Sequence, residues 1–415
     1  MKKVKILLAL TLIFASAFVF AGGNKAADTG GGKATLTLGS WRPDDSVQIE
    51  RLLAEYGKLN PNVTIRHLPI NPPDYNATLR LQLDGGTGPD LMYARSYATG
   101  AELFQAGYFA DASDIPGVKA NFTASSLAPW TTTDGKVFAV PYAAVSHGVY
   151  YNKTIFRKEG LAIPQTFEDF LKLCATLNDK GYTPLANGVA DEWDILECFF
   201  LGILPNYIGG ASERVKYETG AKKLNDADFT AAFQAMADVA KYLPKGFESV
   251  SLSDAFVLFA TQKAVMFMDG SWDLPQFDSA SFEWGIFAMP APAGKKTAIS
   301  FHPDMAITYN KATKYPNEAK AFLAWLATKE GATVAAANMP TGFYPMINFP
   351  ITLADPHGNE FLALNTGKET DARFVWPKFM DLYAPMNQAV IQVLRGAQTP
   401  RQAADEMERI AATLR

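Results

Sequence analysis

The sequence predicts an α/β fold, strands of a mostly parallel sheet alternating with covering helices, built as two domains. Two β-α-β steps near the start carry the class, because a strand that returns parallel to its predecessor needs a helical crossover. Size carries the domain count: 415 residues, 48% of them apolar, are enough for two cores and long for one.

The chain opens with MKKVKILLALTLIFASAFVFA, a basic start, an apolar core and a small-residue exit at Ala21. Residues 1–21 therefore read as a cleaved secretory signal. A membrane-spanning helix is the rival reading, but the apolar stretch is short of the roughly 20 residues a span needs, and polar Gly22-Gly23-Asn24-Lys25 follows at once. No Cys follows the cleavage region, so a cysteine-linked lipid anchor has no attachment atom. Cleavage leaves 415 − 21 = 394 residues and, by removing Lys2, Lys3 and Lys5, takes the formal charge from −4 to −7. A mildly acidic protein of the periplasm or another extracytoplasmic space is expected. Its charge argues against nucleic acid, whose phosphates ask for a basic face.

Residues 22–33, GGNKAADTGGGK, form a flexible tether with too little apolar material to fold. Order begins at Ala34, where ATLTLGSW alternates as a strand and meets a turn at Arg42-Pro43-Asp44. Asp45 stands as the acidic cap of a helix whose apolar face is Val47, Ile49, Leu52, Leu53 and Tyr56. NVTIRHLPI returns as strand, YNATLRLQLDGG is a helix with a glycine stop, and Pro89 to Tyr93 is the third strand. From Pro141 the character changes: Gly148 to Tyr151 reads as strand, Phe156 to Leu161 as a short helix, and Thr166 to Asn178 as a helix with Glu168 and Asp169 in its first turn. Helical stretches continue over 193–204, 229–242 and 252–261. Ala264 to Met268 is a short buried strand running into Asp269-Gly270-Ser271-Trp272. Phe287 to Pro290 and Met305 to Tyr309 read as strands, Ala319 to Thr328 as a helix, and 381–394 and 401–414 as helical decoration.

Cys174 and Cys198 are the only cysteines. An oxidising compartment permits a bond between them, and two buried thiols in apolar helices are the alternative. With four histidines they make no zinc or redox motif, and neither a metal nor another cofactor is expected. GGTGPD resembles a phosphate loop only in its glycines. It lacks the following Lys-Ser or Lys-Thr and follows a helix.

GTGPDLMYA at 86–94, just before Arg95, PYAAVSHGVYYNKTIFRKEGLAIPQTFEDF at 141–170, DGSWDLPQF at 269–277 and AMPAPAGK at 288–295 occur in the order found in family 1 extracellular solute-binding proteins. The chain resembles that family over about residues 34–415. The resemblance implies the receptor component of an ATP-driven (ABC) importer for sugars: a two-lobed periplasmic-binding-protein type II fold, each lobe a mostly parallel sheet flanked by helices, with hinge strands between. Lobe one would comprise 34–142 plus 286–328, and lobe two 143–285 plus 329–415. The implied partners are a small-molecule carbohydrate and the membrane permease subunits, the implied state a monomer, and the implied activity capture without chemistry.

A sugar offers C–H patches on its faces and hydroxyls around its rim, so its receptor needs flat apolar rings and directional polar groups. Trp272, at a Gly-Ser turn after a strand, is the foremost platform, since the resemblance implies stacking on a pyranose ring; capping a core is the alternative. Trp41, where the first strand exits, is a second platform or a packing residue. Asp44 is the hydroxyl ligand left once Asp45 is assigned to the cap. Asp90, which recurs in the family at a strand start, either binds ligand or fixes a loop. Arg95 grips a hydroxyl or carboxylate from the cleft edge, or forms a surface ion pair. Tyr142 stands beside the first hinge. Tyr150 and Tyr151 are adjacent on a strand and cannot both face the ligand, and His147 reads as a packing residue. Glu192, Trp193 and Asp194 bracket a helix start as a lid-side cluster, although acids in a first helical turn are favoured without any ligand. Phe301-His302-Pro303-Asp304 replaces a small, glycine-rich turn common in the family, offering His302 and Asp304 to the solute. Trp376 is a further platform. Receptors of the same fold for peptides, amino-acid derivatives or polyamines, a secreted glycoside hydrolase and an adhesin remain as alternatives. For the hydrolase, no local arrangement singles out a pair of carboxylates.

Overall fold

β1 (Ala34–Ser40) buries Ala34, Leu36 and Leu38 and leaves Thr35 exposed, the alternation of a strand with one covered face. The helix Ser46–Leu59 buries Ile49, Leu52, Leu53 and Tyr56. Val47, expected on that face, is 57% exposed, because the apolar stripe that meets the sheet begins at Ile49. β2 (Val63–Pro69) lies parallel to β1 in register from Ala34↔Val63 to Ser40↔Pro69. The helix Pro72–Asp84 then leads to β3 (Leu91–Ala94), parallel to β1 on its other side. The computed structural model describes residues 33–353, 355–371 and 379–415. The expected signal, the tether up to residue 32 and Trp376 lie outside the described residues.

The remaining strands are β4 (Val140–Asn152), β5 (Thr183–Leu185), β6 (Ala264–Gly270), β7 (Trp284–Phe287), β8 (Ala298–Tyr309), β9 (Tyr344–Pro345) and β10 (Glu369–Asp371). The order along the sheet is β2-β1-β3-β8-β4-β6-β5. β5 and β6 are parallel, as are β8 and β10. The mostly parallel expectation fails at the centre, where β3, β8, β4 and β6 follow one another antiparallel.

β4 and β8 run through both halves of the protein. The first half of β4 pairs with β8 beside β3, and its second half pairs with β6 and β7. The strands expected at 148–151 and 305–309 are thus only the far ends of two long ones. Phe301-His302-Pro303-Asp304 is strand rather than a turn, with Pro303 opposite Ala144 beside two register shifts between Pro141 and Ala144, an irregular stretch that tolerates a residue without an N–H.

Three buried clusters flank this sheet among the described residues. The first joins β1, β3 and the start of β4 to Met305–Tyr309 and to the helix Pro316–Leu326. The second gathers the helices between Phe167 and Val239 with the C-terminal helices Tyr383–Leu394 and Pro400–Leu414. The third, with Tyr150, Phe259, Phe267 and Phe277, covers the opposite side of β6. Tyr150 enters the third cluster and Tyr151 packs on the second, as adjacent strand residues must. Two expected boundaries shift. Ile286, Phe287 and Met289 belong to the second and third clusters because β7 pairs with the far end of β4. Ala332, Ala335, Phe343 and Ile347 belong to the first, because the helix Lys329–Ala337 lays its small-residue face there. Cys174 and Cys198 are both buried and free, so no disulfide joins them. No single described helix is long and apolar enough to cross a membrane.

Candidate functional site

Where β1 leaves the sheet, Ser40 Oγ accepts the Arg42 N–H at 2.9 Å, and Pro43 opens a short 3-10 turn over Pro43–Asp45. Trp41 is 4% exposed, its indole edge-on to Tyr75 and Tyr93 at 5.4 and 5.3 Å. One face of that indole is covered by the Arg95 guanidinium at 3.8 Å, and Arg95 Nε donates to Asn76 Oδ1 at 3.3 Å. Trp41 is therefore a packed wall. Tyr142 stands beyond Tyr93 at 6.0 Å, 5% exposed, its phenol pushed well above the usual range by burial and by the Asp45 charge.

Asp45 occupies the helix N-cap position without capping. Its two oxygens instead accept from Arg42 Nε and Nη2 at 2.6 and 2.8 Å, a forked pair on a carboxylate that is 4% exposed. A guanidinium three residues upstream outcompetes the helix N–H groups, which corrects the capping expectation. Arg42 lies 5.1 Å from the Phe343 ring centroid. Burial works against its charge, but Asp45, Asp304 and Asp44 outweigh burial and raise its pKa. Asp44 is exposed and bears electrostatically on Arg42 and Asp273.

From the second half come the residues after β6. Trp272 folds its ring back over Gly270, where a Cβ would lie 2.2 Å from the indole, so only glycine permits that approach. Ser271 Oγ accepts the Ser146 N–H at 3.0 Å and donates to the Gly342 carbonyl, which seats a loop of the first half against this turn. The Trp272 ring is half-buried and meets His147 edge-on at 5.3 Å.

The two long strands β4 and β8 supply the floor. His147 on β4 and His302 on β8 stack at 5.8 Å with an interplanar angle of 25°, and they are 2% and 1% exposed. His147 Nδ1 lies 3.1 Å from the Ser300 carbonyl, and His302 Nε2 lies 3.5 Å from Asp304 Oδ1.

Behind Trp272, Asp194, Asp269 and Asp273 are 2%, 0% and 7% exposed. Burial pushes the Asp194 carboxyl up to about 8, with Asp273 and Asp191 adding to the rise. Asp269 is driven upward by burial, then by Asp273 and Asp194. Burial also lifts Asp273, to about 6, while its bond to Asp269 and the Arg42 charge hold it down.

The junction thus brings together Trp41, Asp44, Arg95, Tyr142, Asp194, Trp272, His302 and Asp304. Glu192 adjoins Asp194 but is exposed, its carboxylate accepting from Asn387 at 3.0 Å and Gln388 at 2.9 Å, with half-buried Trp193 next to it. Asp90 sits elsewhere, at the N-terminal end of β3. There it accepts from Thr37 N and Oγ1 at 2.9 and 3.0 Å and from Thr313 Oγ1 at 2.6 Å, which assigns it to tying strands. Arg42, Asp269 and Asp273 were not singled out from sequence, and His147 was read there only as a packing residue. The available signals were a cation leading two acids in Trp41-Arg42-Pro43-Asp44-Asp45, and acids on both sides of Gly270-Ser271-Trp272.

The profile of the family described as "Bacterial extracellular solute-binding protein" matches residues 41–333. The multiple sugar-binding protein of Streptococcus mutans is 27% identical over 319 residues, covering 74% of this chain and 74% of that protein. The maltodextrin-binding protein MdxE of Bacillus subtilis is 26% identical over 309 residues, covering 72% and 71%. Among solved structures, the bacterial solute receptor AcbH superposes with a TM-score of 0.80 at 20% identity, over 92% of this chain and all of that one.

Proposed function

Because the chain belongs to the bacterial extracellular solute-binding protein family, we propose that it captures a carbohydrate between two closing lobes and hands it to the permease of an ABC importer. The relatives above are named for sugars and maltodextrin. The observation that carries the reading is the meeting, at one junction, of a half-buried indole from the second half with Arg42, Asp44 and the hinge-strand polar groups from the first. Trp272 is the stacking platform. Asp44, His302 and Asp304 take hydroxyls, Arg95 braces Trp41, and Tyr142 closes the wall. Glu192 and Trp193 form the rim of the second lobe, with Asp194 buried behind it, and Trp376 is a further platform.

Lobe one comprises 34–142 with Met305 to Ile347, lobe two the intervening and C-terminal parts, and β4 and β8 are the hinge. Closure over the solute shifts an open–closed population by contacts that only the closed form makes. A micromolar solute corresponds to a net binding term of about −8 kcal/mol, after ordering costs. The protein works as a monomer after export by a cleaved signal, in the periplasm or an equivalent space, and it performs no turnover. Arg42 and Arg95 at the junction weigh against a polyamine, which needs carboxylates unopposed by guanidinium groups.

The test is calorimetric titration of mono-, di- and oligosaccharides, amino acids and polyamines, with Trp272→Ala beside the wild type. A saturable sugar isotherm weakened roughly 30- to 100-fold by W272A, the loss of about 2–3 kcal/mol of stacking and burial, is expected. A sugar affinity unchanged in W272A, or saturable binding confined to polyamines or peptides, refutes the assignment.

A further inference from the structure

Sugar capture leaves unexplained why three carboxylates and a thiol are buried together behind the Trp272 turn. Asp194 ends the helical turn Glu192–Asp194, Cys198 follows in the π-helical stretch Ile195–Phe200, Asp269 is near the end of β6, and Asp273 lies just past Trp272. One oxygen each of Asp194 and Asp269 and the sulfur of Cys198 lie within 4.8 Å of one another, all buried. Asp273, 7% exposed, lies against the Asp269 carboxyl.

Conventional partners account for only part of the cluster, since Asp194 has the Cys198 thiol and the Asn187 amide beside it but one of its oxygens is left over. Asp269 Oδ1 accepts the Gly270 N–H at 2.7 Å. Asp194 Oδ1, Asp269 Oδ2 and Asp273 Oδ2 are buried without a hydrogen-bond partner among the described residues. Asn187, the adjacent amide, bonds on both sides to the Met268 backbone, at 2.8 and 3.1 Å. Arg42 acts on Asp273, but the charges that dominate the surroundings of Asp194 and Asp269 are other carboxylates. Carboxylates so placed either keep protons or share a cation, because an isolated buried charge costs several kcal/mol. The thiol beside them discriminates, since a sulfur donor with two oxygen donors suits a borderline-soft divalent ion. The π-helical turn, an irregularity common where a helix serves a site, directs Cys198 to the same side as Asp194.

We propose that Asp194, Cys198 and Asp269 form a divalent-cation site of the zinc type, with Asp273 as the outer partner of Asp269. Tetrahedral zinc with sulfur and oxygen donors needs donor separations of roughly 3.3–3.6 Å, which side-chain rotation must supply from donors now within 4.8 Å of one another. Binding sends the Cys198 thiol proton and any proton held by Asp194 or Asp269 into solvent, so the ion enters as protons leave. The bound ion ties the π-helical stretch to the root of the Trp272 turn, which fixes the stacking platform from behind. The site needs no sugar, so its test stands apart from that of the proposed function.

The full protein is stripped with chelator and titrated with Co²⁺ and Zn²⁺ alone. Expected are one tightly held ion per chain, proton release on binding, a thiolate-to-cobalt charge-transfer band and a zinc-induced rise in melting temperature. Cys198→Ser abolishes the band and Asp194→Asn weakens binding by more than about tenfold, whereas Cys174→Ser, its thiol buried elsewhere, changes neither. Failure of the wild type to hold any ion overturns the proposal. So does cobalt binding without a thiolate band, which would move the ion to the histidines, or a band lost in Cys174→Ser. The wild-type spectrum and Cys174→Ser decide the matter even if Cys198→Ser fails to fold.

Discussion

Replacing Asp45 with serine separates two physical roles for one residue. Serine caps helices about as well as aspartate, so a capping Asp45 would lose only a few tenths of a kcal/mol. The structure gives Asp45 a different task, gripping Arg42 through two bonds of 2.6 and 2.8 Å with side-chain exposures of 5% and 19%. Charge-assisted bonds contribute about 1.5–3 kcal/mol each, and removing one partner of a buried pair costs about 3–5 kcal/mol. Arg42 keeps Asp304 and Asp44 as electrostatic neighbours, which brings the expected loss to about 2–3 kcal/mol. The assay is urea unfolding of sugar-free protein followed by circular dichroism, with the m-value as the check that both end states are unchanged. Arg42→Met in the Asp45→Ser background removes the stranded charge and should recover about 1–2 kcal/mol. An Asp45→Ser protein within about 0.5 kcal/mol of wild type, with no recovery in the double variant, refutes the anchoring argument in favour of the cap.

Gly270→Ala places a methyl 2.2 Å from the Trp272 ring; it should cost about 1–3 kcal/mol, shift tryptophan emission and weaken sugar binding, and unchanged affinity would take the ring out of the site. Asp90→Ala removes the acceptor for Thr37 N, Thr37 Oγ1 and Thr313 Oγ1; unfolding should show a loss of about 1–3 kcal/mol with sugar affinity within about twofold of wild type, whereas a large affinity loss would return Asp90 to the ligand. Burial and the Glu318 charge push the Tyr56 phenol up to about 12, while in the unfolded chain it ionises near 10. Its contribution is complete below pH about 10 and is lost as pH climbs toward about 12, at up to about 1.4 kcal/mol per pH unit. Tyr56→Phe should therefore show a shallower fall in stability between pH 9 and 11 than wild type, and equal slopes would contradict the burial argument.

The β1-α-β2-α-β3 portion was legible because its signals are local: alternation in the strands, an apolar stripe in the helix Ser46–Leu59 and a glycine stop after Asp84. β4 and β8 were not. Strands buried on both faces lose their alternation, and Pro141, Gly148 and Pro303 read as breaks when taken alone. What holds them as strands is pairing across a long sequence separation, such as Val145 with His302. Asp45 shows the same limit on a smaller scale, since capping preference is an average over helices that lack a guanidinium at the preceding turn.

Candidate platforms were visible as residue types, but not which ring faces were open. An indole at a sheet exit looks the same in sequence whether its face is bare or, like that of Trp41, covered by a guanidinium from another strand. Arg42 carries the same lesson to function. Asp45 anchors it in the first half, yet its charge bears on Asp273 in the second. In an open form water screens that attraction, and in a closed, dry junction the same pair of charges counts for several times more. On the closing mechanism proposed here, a solute that expels water from the junction strengthens an interaction it need not touch. Arg42 then favours the closed lobes through Asp273 as well as through any hydroxyl it binds.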